Sequence, residues 1–545
     1  MWRRNVLVLS SIVACLALST PALAKVMYAD SRLQADITDG RYSVKGRGAG
    51  GEDGDAYRTI QSAVNVMKPG DTLLLRGGVF KERAITLGGK RGSEEAWFTI
   101  RSYPGEWAVV DGGHEGTPDG KSADVFGARG DAPAYWRFQW FEVTGGGPAW
   151  VDPDGKPRTS RDPKSGEHIE GAGFSFNPGE HLLFDHLHIH HNYQGIWTIC
   201  KEDGTAAHDI VVTHCRFKDN GFPKDATLDA AQVVFCGDHA YFGRPVNIHT
   251  ANTGNEVRYN LMDGSGVAYR DKYFQFLVRN HVGDDMEAKA RGNRIHHNII
   301  RNTAGTAISI TQDFSQVYNN VVDSESGGIL IGKAPSTNCR EPFHVVVYNN
   351  LLITRRTAIF LSHGSETEDN KDNWPKKLNY LEGAGHPFCY SWNNIFEGRD
   401  DRNPGAGISA KFYRGRDLMK VDMSTVHIDN NYFYGWRRDA AAICVGGIAD
   451  QYSVDQYQAK GWAKTLYAAE ANADNPLHQP GSPYKVRKEH KLDGSTIGKG
   501  GVSVPHPYLE NVAIPGYVGP AAPDDDKWVD DVLDLSKLGA DVKAP

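Results

Sequence analysis

The stretch Ile60–Glu82, IQSAVNVMKPGDTLLLRGGVFKE, decides the fold of this chain. Between Asp55 and Lys68, the residues Ile60, Ala63, Val64 and Met67 fall at helical spacing, and Pro69-Gly70-Asp71 stops the helix. Thr72 to Arg76 then reads as an apolar strand, and Gly77-Gly78 turns the chain into a second one at Val79-Phe80. Further short strands are expected at Ala84 to Leu87, Trp97 to Arg101 and Ala108 to Val110, each bounded by Gly, Pro or charged turns. No helical pattern separates them.

Further along the chain, short apolar strands repeatedly end in asparagine, at Asn192, Asn220, Asn260, Asn280, Asn298, Asn320, Asn350, Asn394 and Asn431. At its tightest the recurrence predicts a coil of about 18 to 22 residues, with insertions on other turns, which is the mark of a solenoid. Asparagine suits such a bend because it tolerates left-handed backbone geometry and its amide can bond the same residue one coil above.

With Phe98–Gly112, FTIRSYPGEWAVVDG, and the asparagine coils, the opening run resembles the right-handed parallel β-helix proteins of the pectate-lyase-like superfold, across residues 50 to 435. The resemblance implies an all-β chain: a right-handed parallel β-helix with an N-terminal capping helix and an irregular C-terminal extension. That superfold hosts lyases, hydrolases, epimerases and non-catalytic adhesive proteins, so it implies an architecture and no single reaction. The expected division is a leader over 1–24, the β-helix over 25–435, and an extension over 436–545 that packs on or caps the solenoid. Within the extension, Val454 to Ala473 reads as a helix despite Gly461.

Composition bounds the function. The 545 residues include 60 glycines, which fits one long turn-rich domain. Arg3 and Arg4, an apolar run from Val6 to Leu18, and Ala22-Leu23-Ala24 form an export signal, so a periplasmic or secreted protein is expected. No other segment is long and apolar enough to span a bilayer. The formal charge is −7 before the two leader arginines are lost, which argues against nucleic acid as a partner. Of seven cysteines, six lie beyond the leader; they show no CxxC zinc spacing, and no disulfide pairing is assigned.

Aligning coils turns sequence into a surface map, because equivalent positions stack about 4.8 Å apart. Setting Ile295–Asn298 against Val317–Asn320 puts Lys289 over Thr311, Glu287 over Ser309 and Asp285 over Ala307; one coil earlier, Arg270 stacks on Lys289. The expected outward face carries Asp285, Glu287 and Lys289 at alternate positions, with Arg270, Asp284 and Arg291 beside them. A cation next to Lys289 would free its amine to act as a base. Asp284, Asp285 and Glu287 are oxygen donors suited to Ca²⁺. The alternative is a solvated face whose charges pair with one another.

The run Asp285–Lys289 resembles the acid-then-lysine strand of β-helix alginate and dermatan lyases and of a Lys-dependent pectate lyase family. By that resemblance Lys289 is the base and Glu287 a calcium ligand. The coil that follows carries Thr306–Ile310 and no arginine, so Arg270 on the preceding coil takes the cationic place. The expected function is an exported carbohydrate-active enzyme, a lyase that cleaves an acidic, uronate-containing polysaccharide by β-elimination, working as a monomer. A glycoside hydrolase drawing two acids from Asp263, Asp284, Asp285 and Glu287, a uronate epimerase, and a non-catalytic glycan-binding solenoid are the alternatives. Arg291, Trp197, Tyr273 and His249 are expected to contact sugar, and Tyr269 and Phe274 are further stacking candidates. His186, His188 and His190 fall on one face of a strand, where they would share zinc or copper only with help from elsewhere.

Overall fold

Thr59 begins the first helix, α1 (Ile60–Val66): its backbone is extended and its side chain accepts a hydrogen bond from the Ser62 N–H. Ile60, Ala63 and Val64 are fully buried in the core that runs through the molecule. The computed structural model describes residues 24–113, 124–129, 132–147, 171–199, 207–220, 231–236, 254–265, 267–272, 292–303, 305–310, 314–332, 344–363, 389–398, 407–414, 417–419, 426–434, 441–445, 451–463, 466–469, 503–509, 511–516 and 519–520. The expected leader, 1–24, lies outside these residues except for Ala24. No described helix is long and apolar enough to cross a membrane.

The expected early strands form at Thr72–Leu75, Gly78–Lys81, Ile85–Thr86, Phe98–Ser102 and Ala108–Asp111. They begin a parallel β-helix with three sheets. One coil shows the plan: Arg294–His296 belongs to sheet 1, Ile299–Thr303 to sheet 2 and Ile308–Ile310 to sheet 3. Among the described residues sheets 1 and 2 hold 13 and 12 strands in one path each, sheet 3 holds 12 in one path with Asp417–Met419 paired antiparallel beside it, and successive coils pair in parallel. Inward rows are apolar along each sheet. Sheet 2 stacks Phe80, Val110, Val143, Ile189, Phe217, Met262, Ile300, Val322, Leu352, Phe396 and Phe433. Each such side chain contributes about 1.5–3 kcal/mol by leaving water.

The corner between sheets 1 and 2 is built the same way on every coil from Trp140 onward. One residue adopts positive φ: Trp140, His186, His214, Tyr259, His297, Asn319, Asn349, Asn393 and Asn430 in turn. The residue after it becomes asparagine at Asn260, Asn298, Asn320, Asn350, Asn394 and Asn431, all buried. In this ladder Asn260 accepts the backbone N–H of Cys215, and from Asn298 onward each carboxamide oxygen accepts both the backbone N–H and the Nδ2–H of the asparagine one coil before; Asn350 takes these from Asn320 at 3.0 and 3.0 Å.

Three expectations change here. Asn192 and Asn220 form a separate two-step ladder at the corner between sheets 2 and 3, and Asn280 lies outside the described residues. Asn260 bonds directly to Asn298, 38 residues on, so one long coil stands where two short ones were counted. The expected helix ends early: it spans Val454–Ala459, opened by a capping box between Ser453 and Gln456, and Gly461 takes φ of +73°. Leu466–Ala469 is instead a strand on Asn431–Tyr434, so parallel pairing continues past residue 435. Within the extension, Tyr508 packs on Phe314 and donates to the Phe314 carbonyl at 2.7 Å, against the outer side of sheet 1. Cys215 and Cys389 are buried free thiols.

Candidate functional site

The sequence alignment placed the lyase-like residues on sheet 3, and the strand register tests the placement. Ile295 does pair with Val317, and Asn298 bonds to Asn320, as expected. The register fails further back. Arg270 pairs with Val234 on one side and directly with Ser309 on the other, whereas the alignment set it in the column of Thr311 with one strand between. The physical reason is connection length: 273–293 joins Val267–Lys272 to Arg294–His296, whereas 311–315 makes the same join one coil later. A constant offset cannot be carried across such unequal connections.

Lys289, Asp284, Asp285, Glu287, Arg291, Tyr273 and His249 lie outside the described residues. Arg270 and Trp197 share one row of sheet 3, with Val234 between them. That row alternates with the one that runs Ile196, Val233, Tyr269, Ile308 and Ile329, of which Ile196, Ile308 and Ile329 are buried in the core. Trp197 is 9% exposed.

Long connections are distributed unevenly around the helix. From Trp140 onward, sheet 1 passes to sheet 2 in one or two residues. By contrast 200–210, 237–255, 273–293 and 364–388 leave sheet 3, and 145–171 and 219–230 lead into it. Loops placed on a rigid scaffold are where binding and chemistry concentrate.

Imidazoles gather on the other two sheets. At the corner, Trp140, His186, His214 and Tyr259 stack in sequence, with ring centroids 3.7, 4.8 and 5.3 Å apart. Beyond them, Asn319 Nδ2 donates to His297 Nε2 at 3.1 Å, His297 and His296 face each other through Nδ1 at 2.7 Å, and His296 Nε2 meets Glu256 Oε1 at 2.7 Å. Because Asn319 can only donate there, the hydrogens are assigned in one direction: His297 donates to His296, and His296 to Glu256. Burial, with His296 and Arg258 nearby, lowers the His297 pKa to about 3. Burial alone would raise Glu256, but the His296 hydrogen bond and the charges of Arg294 and Arg258 hold it down to about 2.

On sheet 2 the three-histidine face resolves differently from expectation. His186 is the positive-φ corner residue, hydrogen-bonded through Nδ1 to Asp185 at 2.5 Å, while His188 and His190 share the outer face with Glu142 of the preceding coil. His190 Nε2 lies 2.9 Å from Glu142 Oε1, and His188 Nδ1 lies 3.5 Å from Glu142 Oε2. Sequence reading missed Glu142. The available signal was the match of Phe141-Glu-Val-Thr144 to Leu187-His-Ile-His190, each following a corner residue. Burial would raise the Glu142 carboxyl, yet the two facing imidazoles hold it well below the usual carboxylate range. Burial lowers the His188 pKa to about 4 against the pull of Glu142.

No family model and no curated protein matches this chain. Among solved structures it is similar to pectate lyase Pel9A (14% identity over 71% of this chain and 77% of that one, TM-score 0.39). It is similar also to an alginate lyase from Paenibacillus sp. str. FPU-7 (13% identity, 65% and 95% covered, TM-score 0.38) and to a rhamnogalacturonan lyase (12% identity, 78% and 86% covered, TM-score 0.45).

Proposed function

We propose that this pectate-lyase-like parallel β-helix is an exported carbohydrate-active enzyme that cleaves a uronate-containing polysaccharide by β-elimination over sheet 3. The observation that carries the reading is the one-sided distribution of long connections, with Arg270 in the alternate row of that sheet and 273–293 leaving two residues beyond it. That connection holds Asp284, Asp285, Glu287, Lys289 and Arg291. In the reaction Lys289 takes the proton at C5, the electron pair forms the C4–C5 double bond, and the C4–O bond breaks with its oxygen taking up a proton. Arg270 faces the substrate carboxylate and offsets the negative charge that grows there. Asp284, Asp285 and Glu287 form an all-oxygen donor set that fits Ca²⁺, which would add further neutralisation when bound.

The test is ultraviolet absorbance of the unsaturated product, recorded with a panel of uronate polymers. Lys289→Ala is expected to lower turnover by about 10²- to 10⁴-fold with thermal unfolding unchanged. Chelator should lower activity, and calcium but not zinc should restore it. No absorbance with any uronate polymer, alongside new reducing ends from a neutral glycan, would overturn elimination in favour of hydrolysis.

A further inference from the structure

A histidine buried on a polar sheet face normally bonds through at least one ring nitrogen, because an unmet buried polar group costs about 1–3 kcal/mol. His188 does not. It is 7% exposed, and neither Nδ1 nor Nε2 completes a hydrogen bond. Its nearest polar neighbour is the Glu142 carboxylate at 3.5 Å, long for a hydrogen bond, and the His190 ring centre lies 4.2 Å from its own. Glu142, His188 and His190 each offer one ligand atom within 4.8 Å of the other two. Ligands held about 2.0–2.1 Å from one tetrahedral ion stand about 3.3 Å apart, and the Glu142 carboxylate lies 2.9 Å from His190 Nε2 through Oε1 and 3.5 Å from His188 Nδ1 through Oε2.

We infer that Glu142, His188 and His190 form a binding site for a divalent transition ion of the zinc class, on sheet 2 and independent of the proposed lyase face. Two imidazoles and one carboxylate suit zinc or cobalt; calcium prefers oxygen alone. The i and i+2 spacing on Leu187-His188-Ile189-His190 puts both rings on one face, and the parallel register brings Glu142 beside them from the coil below. The surroundings orient the ligands. Trp107 Nε1 donates to Glu142 Oε2 at 3.3 Å, and His190 Nδ1 lies 2.7 Å from His191 Nδ1, so His190 can carry its hydrogen on Nδ1 and turn the Nε2 lone pair to an ion. The side chains of Glu142 and His190 are 22% and 16% exposed, which leaves a fourth position open to solvent. Arg216 and Lys218 pair with His188 and His190 on the next coil; Lys218 is exposed to water, and Asp263 is the acidic neighbour of Arg216. The two other histidine and acid groups are less suited. His186 and His208 already bond through Nδ1 to Asp185 and Asp209, at 2.5 and 2.6 Å.

Cobalt(II) is the probe, because its visible absorption reports nitrogen coordination directly and needs no substrate. The purified, chelator-stripped protein should bind one cobalt per chain, and zinc should displace it while calcium should not. His188→Gln and Glu142→Gln should each weaken binding at least about ten- to a hundred-fold, and His208→Gln should leave it unchanged. Thermal unfolding of every variant serves as the folding control, and His190→Gln, at a more exposed position, replaces any variant that fails it. Cobalt binding that survives the double change His188→Gln and His190→Gln, displacement by calcium as readily as by zinc, or no cobalt binding by the unaltered protein would overturn the site. None of these outcomes bears on elimination at sheet 3.

Discussion

His297 shows how much of this protein rests on single protonation states. Its Nε2 accepts from Asn319 and its Nδ1 hydrogen goes to His296, so a second proton has nowhere to be bonded. The folded pKa of about 3 lies below the unfolded value of about 6.5. Between those limits the unfolded chain binds a proton that the folded chain does not, so stability falls as pH drops from about 6.5 toward 3 and levels off beyond. His297→Asn places at this corner the residue found on the next coils, and asparagine accepts the positive φ. The substitution is expected to fold and to remove up to about 1.4 kcal/mol per pH unit from the acid slope, measured by urea unfolding across that range. An unchanged slope would mean that His297 is not held neutral. None of this network was legible in the sequence. The pair His296-His297 could be read, but Glu256 reaches it from another coil, and only the register shows that.

At the scale of one element, the asparagine ladder was the most legible feature and also the source of the main error. Apolar strands ending in asparagine announced the corner correctly from Asn298 to Asn431. Asn280 has the same local signature, and counting it divided one long coil in two. A local pattern reports the conformation it favours and not which corner the chain has reached, so insertions break the count. Asn350 gives the energetic test: it is fully buried, accepts twice from Asn320, and donates to Val317, Tyr348 and Asn394. Asn350→Ala strands these groups and is expected to cost about 2–3 kcal/mol, read as a lowered urea midpoint. Asn349→Gly beside it keeps the positive φ and should cost far less.

Across the whole molecule, each coil touches mainly the coils above and below, and three inward rows join them into one core. Length is conserved only at the corner between sheets 1 and 2. A short glycine-serine segment inserted within 399–406, a connection that leads into sheet 3, should therefore leave thermal unfolding nearly unchanged. The same segment between Asn349 and Asn350 should abolish soluble expression or produce early proteolysis. Equal tolerance at both places would show that the corner does not set the coil spacing.

The positive-φ residue and the asparagine behind it act together as a ruler. They fix the rise at about 4.8 Å per coil, whatever the chain does elsewhere on its way round. One loop over sheet 3 can then be lengthened, exchanged or recharged without shifting the strand above it. The frame keeps its pitch while the surface written on it changes.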